Sequence, residues 1–154
     1  KDIPILHAMI HREILYRVLI GPAGERLRQM VQVGSQGSRI ARAVDRLRRD
    51  FSKKLSIEEL AEETGMGVST LHHHFREITT MSPLQFQKQL RLHEARRLML
   101  TEDIDAAASA FRVGYESVTQ FNREYRRLFG APPVRDVRAL RSAQAVDLSA
   151  HGLH

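Results

Sequence analysis

"AEETGMGVSTLHHHFREI" spans residues 61–78, and "AFRVGYESVTQFNREYRRL" spans residues 110–128. In the first stretch Ala61 stands four residues before Gly65; in the second, Ala110 stands four before Gly114. Beyond each glycine, apolar residues recur at i, i+4 and i+7: Leu71, Phe75 and Ile78, then Phe121, Tyr125 and Leu128. The small residue lets two helices cross closely, and the glycine accepts the positive φ of a tight turn. The second copy carries one extra residue between its glycine and its stripe, and each copy closes on a proline, Pro83 or Pro133. The repeat therefore predicts helix, short turn, helix, written twice.

Between the copies, Ser82 and Pro83 read as an N-cap and an N1 proline. They open a helix to about Leu100, with Phe86, Leu90 and Leu98 among its buried candidates. About eighteen residues at ~1.5 Å each span ~27 Å, the scale of one DNA turn of ~34 Å. Upstream, Ser56 and Glu59 form a capping box ahead of Ile57, Leu60 and Ala61. A helix from about Ser38 buries Ile40, Val44 and Leu47; its Arg39, Arg42, Arg46, Arg48 and Arg49 suit solvent or phosphate equally. Two further helices are expected at residues 3–20 and 23–33, before the break "GSQGS". No alternating pattern persists anywhere, so the chain reads as all-α. The expected organisation is a helical segment at 1–37, a first helix-turn-helix unit at 38–81, a linker helix at 82–101, a second unit at 102–141 and a tail at 142–154.

The 24 Lys and Arg exceed the 18 Asp and Glu, a formal charge of +6 that favours phosphate-rich or acidic partners. Nearly all of it is arginine, since the lysines are Lys1, Lys53, Lys54 and Lys88. Arginine suits bidentate contact to phosphate and guanine. The absence of cysteine excludes disulfides, thiolate zinc sites and a thiol nucleophile, and points to a reducing, intracellular setting. The most apolar run, "ILYRVLIG", is too short to span a membrane and contains Arg17. A start without Met or signal-peptide pattern suits a fragment of a longer chain.

Leu71 and Phe75 fix the buried side of their helix, so Ser69, His72 and His73 face outward, on the side a recognition helix presents to the major groove. In the second, inward Phe121 and Tyr125 leave Thr119, Gln120, Asn122 and Arg123 outward. Arginine pairs with guanine, and asparagine or glutamine with adenine. Arg76, Arg126 and Arg127 are expected at phosphates, together with backbone N–H groups at helix starts near Ser82 and Glu116. Each also reads as a merely solvated side chain.

Three adjacent histidines on a helix fan over about 200°, so His72, His73 and His74 do not converge on one tetrahedral ion. His74 turns toward the preceding helix, for packing or phosphate. His7 and His11, spaced i, i+4, read as the one arrangement able to chelate from a single helix face, but "HAMIH" lacks the glutamate of a zinc peptidase. No metal or cofactor is expected. No paired carboxylates or Ser/His/Asp grouping stand out, so no catalytic residues and no enzyme are expected.

"LAEETGMGVSTLHHHFREITTMSPLQFQKQLRLHEARRLML" and "AFRVGYESVTQFNREYRRLFGAPP" resemble the two helix-turn-helix subdomains and connecting helix of the AraC-type transcription regulators. The likeness covers about residues 38–140, and "FRVGYES…F…EYRRLFG" is its most specific part. Residues 1–35 are similar to the tail of the sensor domain in one subgroup. The sequence departs from the family pattern at Thr80, where a glycine is usual, at Gly67, a poorer N-cap, and at Pro132, in place of Ser or Thr. Ser109 replaces a bulky apolar residue, which with the alanines around it implies a thinner second core. The resemblance implies a bacterial, cytoplasmic transcription regulator, activator or repressor; it is expected to read an asymmetric site on double-stranded DNA without a small molecule. The resemblance puts Ser69, His72 and His73 at the family's base-reading positions. Contact with RNA polymerase and a homodimer through residues 1–35 are expected as well, because amphipathic helices cut from a larger domain expose an apolar face. A helical protein-interaction or dimerisation module with only non-specific DNA affinity is the competing reading.

Overall fold

The computed structural model describes residues 13, 16, 17, 20–22 and 36–151. Their regular elements are all helices: α1 (Gln36–Asp50), α2 (Ile57–Thr64), α3 (Val68–Thr79), α4 (Pro83–Thr101), α5 (Ala106–Arg112), α6 (Val118–Phe129) and α7 (Pro133–His151). The all-α reading holds. The helices expected at 3–20 and 23–33 fall largely outside the described residues, as do His7, His11 and most of the segment expected to dimerise. No described helix is long and apolar enough to cross a membrane.

Two compact units divide the chain: residues 1–50 with 55–87, and residues 51–54 with 88–154. The helix expected as a separate linker is thus shared, α4 giving 83–87 to the first unit and 88–101 to the second. At the other end, α7 runs through residue 142, where a tail was expected. No glycine or proline interrupts residues 134–151, and the alanines, leucines and arginines there favour helix.

In the first unit, the Ser56 hydroxyl accepts from the Glu59 N–H at 3.2 Å to start α2, and Gly65 ends it at φ 67°. Ile40, Ala43, Val44 and Leu47 of α1 are buried, and α1 packs on both α2 and α3. Leu60, Leu71, Phe75 and Phe86 share that burial, each apolar side chain contributing about 2 kcal/mol. Phe86 stacks edge-on against Phe75 at 5.7 Å and lies 5.6 Å from the Tyr16 ring. The third member of the expected stripe is displaced: Ile78 is 41% exposed, and Thr79 is buried instead. The inward face centres on Phe75, which puts i+8 rather than i+7 inside. Thr79 tolerates this because its hydroxyl donates to the Phe75 carbonyl at 2.7 Å and accepts from the Met81 N–H at 3.2 Å. Much of the arginine face of α1 is engaged within the unit. Arg39 donates to the Gly65 carbonyl (3.0 Å), Arg46 to Glu63 (3.0 Å) and Arg48 to the Ile20 carbonyl (3.2 Å).

In the second unit, Leu92, Ala95, Leu98 and Met99 of α4 pack with Ala110, Val113, Phe121, Tyr125 and Val137. Ser109 is fully buried with an unpartnered hydroxyl, while Phe111 is 57% exposed. Polar bonds brace the same unit. The Arg91 guanidinium donates to the carbonyls of Phe51 (2.6 Å), Lys53 (3.0 Å) and Gly114 (3.2 Å). Gly114 adopts φ 100°, and a Cβ there would collide with the Ser52 carbonyl, so only glycine fits. Buried Asp136 accepts two hydrogen bonds from Arg96 (2.8 and 2.9 Å) and one from the Tyr125 hydroxyl (2.6 Å). The same Arg96 guanidinium lies 4.1 Å over the Phe129 ring.

Candidate nucleic-acid interface

Helices α3 and α6 occupy matching places in their units, and their residues correspond at an offset of fifty positions, Leu71 to Phe121 and Phe75 to Tyr125. All four of these side chains are buried. At about 100° per residue, the opposite side of α3 carries Ser69, His72, His73 and Arg76, and that of α6 carries Thr119, Asn122, Arg123, Arg126 and Arg127. Every one of these nine is exposed. Each helix therefore offers solvent a polar strip with a buried aromatic behind it.

Three expected contacts sit differently from the rest. Gln120 is half-buried and its amide donates to Glu124 at 3.2 Å. Ser82 is half-buried in a capping box: its N–H donates to the Gln85 side chain at 3.0 Å and its hydroxyl accepts from the Gln85 N–H at 3.2 Å. Glu116 is exposed, but the cap of α6 is its neighbour Ser117, whose hydroxyl accepts from the Gln120 N–H at 3.2 Å. The motif Ser117-x-x-Gln120 was the available signal for that cap.

Glu124 anchors α6 and left no local signature. It accepts from the Tyr115 hydroxyl at 2.6 Å, from Gln120, and from Lys88 at 3.1 Å. Burial opposes its ionisation, but these hydrogen bonds outweigh burial and hold its carboxyl below the ordinary value. Burial, then the bond to Glu124, pushes the Tyr115 phenol well up, and burial with Asp136 does the same to Tyr125. Both phenols are thereby favoured in the protonated form that donates these bonds.

On α3 the histidines separate. His72 stands apart, while His73 Nε2 lies 3.4 Å and His74 Nδ1 3.0 Å from the two carboxylate oxygens of Glu77. His73 and Glu77, spaced i, i+4 on one helix face, lie with His74 within ligand reach of one another, which corrects the reading that His7 and His11 alone offered such an arrangement. His74 is half-buried and engaged by Glu77, with its ring 5.1 Å from that of His73.

A helix-turn-helix domain family matches residues 60–139. The chain belongs to the AraC-type helix-turn-helix family. Among its AraC-type relatives, the transcriptional activator RhaS of Klebsiella pneumoniae is 28% identical over 138 residues, covering 89% of this chain and 49% of RhaS. RhaS of Salmonella schwarzengrund is likewise 28% identical, over 136 residues. The chain spans about half the length of these curated relatives. Of solved structures, the DNA-binding domain of AdpA, crystallised with a target DNA, superposes with a TM-score of 0.63 at 27% identity, over 69% of this chain and 96% of that one. A probable AraC family regulator from Rhodopseudomonas palustris matches in fold, with a TM-score of 0.61 at 23% identity over 66% of this chain and 96% of that one.

Proposed function

We propose that this chain is the DNA-reading part of a bacterial transcription activator, with α3 and α6 each entering a major-groove segment of one asymmetric site. The observation that carries the reading is the pair of exposed polar strips, in register at fifty positions, each backed by a buried aromatic. The likeness to the AdpA domain with its target DNA supports it. In this reading Ser69, His72, His73, Thr119, Gln120, Asn122 and Arg123 meet base edges. Gln120 does so only by leaving Glu124 or by using its free amide oxygen. Arg76, Arg126, Arg127 and the helix starts at Ser82 and Glu116 meet phosphate. Neighbouring residue 117 offers the better-placed start on α6.

The chain then works by binding rather than catalysis, in the cytoplasm, and contact with RNA polymerase and a homodimer through residues 1–35 belong to the same proposal. The test is fluorescence anisotropy on selected and random duplexes across a salt series. Tight binding restricted to the selected sites, with a steep salt slope, supports a sequence reader. Equal, salt-sensitive binding to every duplex would leave a basic helical module.

A further inference from the structure

We propose that His73, His74 and Glu77 form a binding site for a divalent transition-metal ion, of the zinc, nickel and copper class, on the exposed face of α3. One ligand atom from each of the three residues lies within 4.8 Å of the other two. Bonds of about 2.1 Å to zinc place tetrahedral ligands about 3.4 Å apart, so small rotamer changes close the gap. Those changes are available, because the side chains of His73 and Glu77 are 67% and 56% exposed and neither is wedged in the core.

The carboxylate is what makes convergence possible. Two adjacent imidazoles alone point about 100° apart around a helix. Glu77 sits four residues after one and three after the other, the spacings that share a helix face. It already touches both rings from between them. Two imidazoles and one carboxylate select a borderline transition metal over magnesium or calcium, and solvent completes the coordination sphere. His72 is excluded from the site, as its place on the helix requires.

The equivalent positions of α6 are Arg123, Glu124 and Arg127, which hold no such set, so the site is peculiar to the first unit. An ion bound here would occupy the His73 nitrogen and add positive charge to the face of α3. That consequence for DNA reading rests on the function proposed above; the site itself does not.

Isothermal titration of the purified chain with zinc chloride, without DNA, tests the site directly. Wild type is expected to bind zinc, with His73→Ala and Glu77→Gln each weakening that event roughly tenfold or more. His72→Ala should leave it within about twofold, and magnesium chloride should give no binding. Helical circular dichroism identical to wild type confirms that each variant folds. Zinc binding that is absent, or that is unchanged in the His73→Ala/Glu77→Gln double variant and so resides on other histidines, overturns the proposal. Anisotropy on a selected duplex with and without zinc then reports the consequence for DNA, and its failure would leave the titration result standing.

Discussion

Helices α3 and α6 are the same device held in two ways. At its start α6 has the Ser117 hydroxyl on a backbone N–H, where α3 has Gly67 and no side-chain cap. At its end α6 has Gly130 at φ 83°, where α3 has Thr80 at φ 62° with a buried, unpartnered hydroxyl. Along its length α6 is tied by Glu124 to Tyr115 and Lys88, and by Tyr125 to Asp136 and Arg96. The counterparts on α3 are tied differently: half-buried His74 pairs with Glu77 of its own helix, and Phe75 contributes packing against Phe86. In the second unit, buried polar bonds brace the helix in addition to its apolar core.

The largest test of that contrast is Asp136→Ala. Removing the carboxylate strands Arg96 and the Tyr125 hydroxyl in a buried site and is expected to cost about 3–5 kcal/mol. Urea unfolding, followed by hydrogen exchange of α6 against α3, should show α6 opening first. A loss below about 1 kcal/mol would mean the network braces nothing.

Within the α6 strip, the proposed base reader and phosphate anchor separate next. Arg123→Ala should cost ~1–3 kcal/mol at one base position and relax preference there, while Arg126→Ala should weaken all duplexes about equally and flatten the salt slope. Affinity against a panel of single-base variants distinguishes the two. If both changes act alike, the division into base readers and phosphate anchors fails.

Smaller effects are expected at the helix ends, with opposite signs. Ser117→Ala should lower stability by about 1 kcal/mol through loss of the cap. Thr80→Gly should raise it by about 1 kcal/mol, because a β-branched residue leaves the left-handed region and a buried hydroxyl disappears. Thermal unfolding of both variants checks the pair.

The smallest effect is on acid stability. Glu124 has its folded value held below the ordinary 4.5, so its ionised form stabilises the native state at neutral pH. That contribution persists above the unfolded value and is lost as pH falls through the folded one. Wild type should therefore lose more stability than Glu124→Gln between neutral pH and acid below the carboxylate range. Denaturation midpoints at both ends of that range measure the difference.

Much of this was legible in the sequence because it depends on short spacings. The Ser56 cap, the Gly65 turn, the Ser82–Pro83 helix start and the buried Leu71, Phe75, Phe121 and Tyr125 all follow from neighbours within four residues. The outward strips followed in turn, since an inward face defines its opposite. What escaped depends on partners remote in the chain or on chemistry that hides polarity. Asp136 meets Arg96 across forty positions, and Arg91 meets Phe51 across the same separation. Thr79 reads as a surface residue until its hydroxyl is satisfied by local carbonyl and N–H groups. Glu77 carries no sequence signal of its own beside three histidines, yet its carboxylate meets two of them.

The central claim is that both strips read one duplex, and in vitro selection from a random duplex library tests it most directly. The expected result is an enriched asymmetric motif of two boxes with centres about one helical turn, ~10 base pairs, apart. Arg123→Ala should degrade one box, and His73→Ala the other. A motif with a single box, or no enrichment over the starting library, would contradict the account.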